Sequence, residues 1–149
     1  MARQLTERDG RVALGDHVLE KARVARERYG PFIDATAIMR ILDDRDIVRY
    51  PVGIRFDAEP LHPGEFGYAM PLGEHPREGY CLFLHPAFEH QRELWPRLIA
   101  YHIPPINYGD IADAEDSELF GASLLGLTVD SYYQELCGIA DSVAKHEAY

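Results

Sequence analysis

Cysteine and lysine are both scarce in this 149-residue chain, with Cys81 and Cys137 the only examples of the first and Lys21 and Lys145 of the second. The two cysteines lie far apart and form no C-x-x-C pair, so a disulfide framework is not indicated and both read as buried thiols. No run of 18 apolar residues occurs, and the opening MARQLTERDG contains neither an apolar h-region nor a small-residue cleavage site. By these signals the chain is expected to be soluble, cytoplasmic and without a membrane partner. G-x-G-x-x-G, G-x-x-x-x-G-K-[ST] and G-x-S-x-G are all missing, which removes the usual warrant for a nucleotide phosphate cradle or a serine hydrolase elbow. No internal repeat and no low-complexity linker divides the chain.

What is present is an ordinary globular composition, 46% hydrophobic and 27% charged, over a length that matches one domain. A single domain over 1–149 is expected, with 1–10 frayed. The formal charge is −10, and residues 98–149 hold only Lys145 against nine acids. A field of that sign repels phosphate backbones, so nucleic acid is not an expected partner. The excess of Arg over Lys has its simplest explanation in codon bias.

The pattern of apolar residues predicts an α+β fold. From Asp16, residues Val18, Ala22, Ala25 and Tyr29 share a helical face that Gly30-Pro31 stops. Asp34 is a good N-cap for a second short helix, with Ile33 and Ile38 placed as a hydrophobic staple. The period then falls to two. Strands are expected at about 47–57, 65–72 and 79–85, joined as a three-stranded antiparallel meander, and Pro51 marks the first as an edge or bulged strand. Tyr80 to Leu84 is apolar on both faces, as in a strand covered on both sides.

Three C-terminal helices complete the expected fold. The first begins near Pro86 and carries Phe88, Gln91, Trp95, Leu98 and His102 on one stripe, with Pro96 as a kink; residues 103–109 read as a rigid loop. The acids from Asp110 to Glu118 suit a helix start rather than a calcium loop. Ser131 and Gln134 form a capping box for the last helix.

Symmetric hairpins would place Gly67 between Arg55 and His85, with Glu65 facing Asp57 and Glu89 returning one helical turn after His85. Arg55, Asp57, Glu65, His85 and Glu89 are therefore the candidate site. His85 and Glu89 would act as acid and base, and Arg55, Glu65 and Asp57 would hold a ligand. His85, Glu65 and Glu89 also offer a ligand set for a divalent metal. A solvated sheet face with a histidine capping a helix explains the same residues. His85 to His90 has one residue more than the H-x-x-E-H pattern, which turns the two imidazoles about 140° apart on a helix. His102 reads as a satisfied core histidine, and His62, His75 and His90 as surface residues.

Two functions follow. One is a small ligand- or metal-binding protein, or an enzyme, using the polar sheet face. The other is a non-catalytic interaction or regulatory module, a homodimer through its C-terminal helices, because Gly121, Ala122, Gly126 and Gly138 let helices approach closely beside exposed-capable tyrosines.

Overall fold

Thr6 opens the first helix with reciprocal hydrogen bonds. Its hydroxyl accepts the Asp9 N–H at 3.1 Å and its own N–H donates to the Asp9 carboxylate at 3.1 Å, a capping box that satisfies two otherwise orphaned donors. The computed structural model describes residues 6–148. Helix α1 runs Glu7–Tyr29 and therefore begins nine residues before the start expected at Asp16. The frayed segment expected over 1–10 is corrected for residues 6–10, while residues 1–5 lie outside the described residues. Leu14, Val18, Ala22 and Ala25 form its buried stripe. Helix α2, Ala35–Asp43, is capped by the Asp34 carboxylate on the Ala37 N–H at 2.8 Å, as the sequence indicates.

The sheet has three strands, β1 (Val52–Phe56), β2 (Gly67–Pro71) and β3 (Tyr80–Leu84), in the order β1-β3-β2. β3 runs parallel to β1 and antiparallel to β2, so the expected antiparallel meander is corrected to a mixed sheet. The physical reason is burial. All five residues of β3 are buried, and a strand apolar on both faces is most stable at the centre of a sheet. β1 and β2 take the edges, and Pro71 fits there because an edge strand need not donate on its outer side. Val52, Ile54, Phe56, Tyr80, Leu82, Leu84 and Ala69 pack into the helical core. Gly53, Arg55, Tyr68, Met70, Cys81 and Phe83 alternate onto the opposite face.

The chain leaves β3 through single 3-10 turns at Pro86–Phe88 and Arg92–Leu94 and enters α3 at Trp95. Pro96 thus sits in the first turn of α3 and is no mid-helix kink. The rigid loop expected over 103–109 is instead helix: α3 spans Trp95–Tyr108 and contains Pro104 and Pro105. An interior proline costs about 3 kcal/mol. The cost is offset because Leu98, Ile99, Ala100, Ile103 and Ile106 are each buried to 1% exposure or less, and burial of a large side chain contributes about 1.5–3 kcal/mol.

Helix α4, Ala114–Leu125, starts on a capping box between Asp113 and Asp116, so the acidic run does serve a helix N-terminus. Helix α5, Val129–Ala148, is capped three residues earlier than expected, by the Thr128 hydroxyl on the Ser131 N–H. One core cluster draws on all five helices and the sheet. Cys81 is buried, but Cys137 is exposed on α5, against the expectation of two buried thiols.

Tyr132 of α5 is fully buried against Gly121 of α4, and its hydroxyl donates to the Arg97 carbonyl at 2.6 Å. A Cβ at position 121 would lie 2.2 Å from the Tyr132 ring. Gly121→Ala is therefore expected to destabilise the fold by about 1–3 kcal/mol, as overpacking does. Urea unfolding would measure it, and an unchanged midpoint would show that the two helices do not meet at this glycine.

Candidate functional site

The residues expected to converge on the sheet face do not share one face. Gly67 pairs with Leu84, one residue from the expected His85, and its other edge does not meet β1. A one-residue register slip moves every side chain of a strand to the other side. Arg55, level with Phe83, consequently lies on the outer face while Gly67 lies on the core face.

The backbone does bring Asp57, Phe66 and His85 to one end of the sheet, where the Asp57 N–H donates to Leu84 and the His85 N–H donates to Phe66. The Asp57, Glu65 and His85 side chains each accept a local backbone N–H. Asp57 accepts the Glu59 N–H at 2.9 Å, and Glu65 accepts the His62 N–H at 2.6 Å. His85 Nδ1 accepts the Ala87 N–H at 3.1 Å, which caps the 3-10 turn and leaves the proton of the neutral ring on Nε2. Glu89 is exposed. Among the described residues no group of three or more His, Cys, Asp or Glu side chains is arranged to hold a metal ion, so His85, Glu65 and Glu89 do not form the expected divalent set.

The space beside Gly67 is occupied by His102. A Cβ on Gly67 would lie 2.8 Å from His102 Nε2, and the imidazole meets Phe66 and Tyr101 edge to face at 5.7 and 5.6 Å. The expected core burial is found, at 8% exposure. The expected satisfaction is not, because Nε2 is buried with no hydrogen-bond partner among the described residues. Desolvation holds the ring neutral and lowers its pKa to about 4.

Three of the small residues that suggested self-association are used inside the chain: Gly121 receives Tyr132, Ala122 is buried, and Gly126 takes the left-handed turn that ends α4, whereas Gly138 is exposed with open space around it.

A different group of polar residues does converge. Gly10, Leu14, His17 and Lys21 recur at helical spacing along α1, and they face Arg49, Tyr108 and Ile111 across a cleft of about 540 Å³. That volume lies within the range of small-molecule sites. A second depression of about 400 Å³, bounded by Glu7 and Arg11, shares Gly10, Leu14 and Ile111 with it. These residues escaped the sequence reading because a helix begun at Asp16 omits half of the stripe, and because Arg49 was absorbed into strand alternation. The capping signal Thr6-x-x-Asp9 was the sequence feature that could have exposed the stripe.

Arg49 is positioned by Asn107, which is 3% exposed. The Asn107 side-chain oxygen accepts the Arg49 N–H at 2.8 Å, its amide donates to the Ile47 carbonyl at 2.7 Å, and its backbone carbonyl accepts from the Arg49 guanidinium at 3.3 Å. The Lys21 ammonium donates to the Asp46 carbonyl. The Asp46 carboxylate itself is bound by Arg28 at 2.9 Å, and Glu20, which Lys21 stabilises electrostatically, is hydrogen-bonded to Arg23. Arg11, at the far end, is neutralised by Asp116 at 2.9 Å and Asp113 at 3.3 Å. Among the described residues neither Lys21 nor Arg49 forms an ion pair, and their hydrogen bonds go to the Asp46 and Asn107 carbonyls. The Tyr108 hydroxyl is buried without a hydrogen-bond partner among the described residues, and burial raises its pKa while Arg49 pulls it down and Asp116 pushes it up.

No protein-family model, no curated protein and no solved structure matches this chain. Among the described residues no helix is long and apolar enough to cross a membrane.

His102 makes stability pH-dependent with a definite sign. Its folded pKa of about 4 lies below its ordinary 6.5, so the unfolded chain binds more protons between those values. The contribution of the neutral ring is complete above pH 6.5 and is lost as the pH falls towards 4, by on the order of 3 kcal/mol. Denaturant unfolding of wild type and His102→Leu across pH 4–7 is expected to show a shallower acid limb in the variant. Identical slopes would remove His102 from the account.

Proposed function

We propose that this protein binds a small organic anion in the cleft between α1 and the C-terminal end of α3. One observation carries the proposal: Lys21 and Arg49, joined by His17, line the cleft with no carboxylate partner, in a chain whose net charge is −10. Lack of a carboxylate partner is shared with Arg26, Arg40, Arg45, Arg55 and Arg77 among the described residues, and what sets Lys21 and Arg49 apart is that they line one cleft with no acid among its seven residues. Other arginines are ion-paired. Arg23 is paired with Glu20 and Glu27, Arg28 with Asp44 and Asp46, and Arg97 with Glu135. Positive charge left unmatched around a concavity in an acidic protein is complementary to a carboxylate or phosphate, and a planar guanidinium beside an ammonium can hold either.

We keep ligand binding, as expected from the sequence, and propose the helical side rather than the sheet face as its place. The seven residues around the cleft include no carboxylate and no thiol, so no group there opposes an anion. The acidic remainder disfavours nucleic acid as the anion.

Amide chemical-shift titrations with inorganic phosphate and with acetate at low ionic strength test this. Shifts are expected to concentrate on residues 14–21, Arg49 and Tyr108. The double variant Lys21→Ala/Arg49→Ala is expected to raise Kd by about tenfold or more, equivalent to about 1.4 kcal/mol. Binding that ignores the double variant, or shifts spread evenly over the surface, would sink the proposal.

A further inference from the structure

We infer that the anion is an amphiphile, with one carboxylate at Lys21 and Arg49 and an apolar body lying along Leu14 and Ile111. The inference rests on the anion-binding reading above and adds the chemical class of the ligand. Three features of the groove carry it.

The first is charge asymmetry. At the Lys21 end neither cation is ion-paired among the described residues and no acid lines the cleft, whereas at the other end Arg11 is held by Asp116 and Asp113, and Glu7 adds a negative group. A ligand with anionic groups at both ends would meet attraction at one and neutrality or repulsion at the other. A single head group fits.

The second is the continuous apolar floor. Leu14 and Ile111 belong to both adjoining depressions, and Ile111 is 64% exposed at the lip. Covering such a side chain removes apolar surface from water, which a compact inorganic anion cannot do.

The third is length. Seven residues of helix separate Leu14 from Lys21, which at 1.5 Å per residue is about 10 Å, and Gly10 extends the same stripe by a further turn without adding a side chain. A medium-length acyl chain spans that distance from its carboxylate.

Calorimetric titration of the full chain with sodium octanoate, with acetate and with inorganic phosphate decides the matter. Octanoate is expected to bind about 50-fold more tightly than acetate, the factor that covering about half of its additional methylenes gives. Ile111→Ser, a change at an exposed position, is expected to cut that ratio to about tenfold or less. Lys21→Ala/Arg49→Ala is expected to weaken octanoate and acetate alike. Equal affinities for octanoate and acetate, both dependent on Lys21 and Arg49, would overturn the amphiphile and leave the anion site standing. An octanoate advantage that survives Ile111→Ser would overturn it as well, by placing the tail elsewhere. If phosphate, acetate and octanoate all fail to bind, the anion site falls with it.

Discussion

The side chain of Asn107 holds together the two parts of the chain on which the cleft depends. It sits near the end of α3, almost wholly buried, and its carboxamide answers one backbone donor and one backbone acceptor of the segment between α2 and β1. Those groups belong to Arg49 and Ile47, and Ile47 is fully buried. An unanswered buried backbone group costs about 1–3 kcal/mol, so a side chain that is both donor and acceptor is what this crossing of elements requires. The same two bonds fix where Arg49 leaves the backbone. Fold and electrostatics are thus set by one amide.

The double proline just before Asn107 belongs to the same arrangement. Pro104 and Pro105 fix φ near the helical value, and the neighbouring Ile103 and Ile106 are drawn into the core. Helix α3 therefore serves two environments. Its middle turn presses His102 against Gly67 beneath the sheet, and its last turn brings Tyr108 to the cleft wall and Asn107 to Arg49. Each environment leaves a buried polar atom unanswered, His102 Nε2 in the first and the Tyr108 hydroxyl in the second.

Local chemistry was legible in the sequence, and non-local pairing was not. Asp34 and the Ile33/Ile38 staple announce α2, the Gly30-Pro31 pair marks the end of α1, and the acids before Leu119 mark the start of α4, because each signal acts within one turn of helix. Alternation located β1 and β2, and a short run apolar on both faces located β3. Their order was recoverable in principle from the uniform apolarity of Tyr80 to Leu84, which belongs at a sheet centre, but the economy of short hairpins pointed to a meander. The order placed β3 between Arg55 and Gly67, and a register one residue from the expected one put the two on opposite faces. The helical run through Pro104 and Pro105 was hidden for a different reason, since backbone preference at two residues was outweighed by burial of their neighbours. The cleft was invisible because it joins α1 to residues nearly thirty and ninety positions away, and only tertiary packing brings those together.

The placement of β3 between β1 and β2 also orders how the sheet comes apart. β2 and β3 are joined by a short connection and can pair as a hairpin, whereas β1 reaches β3 only after the chain containing all of β2 has been laid down. Contacts closed over longer loops carry the larger entropic cost, so β1 is the strand that joins last and leaves first. It is also an edge strand, held on one side only. Arg49 stands three residues before it. Local opening of the sheet at β1 therefore pulls on the cleft wall, with Asn107 as the restraint between them, and a molecule that grips Arg49 also slows the fraying of a strand it never touches.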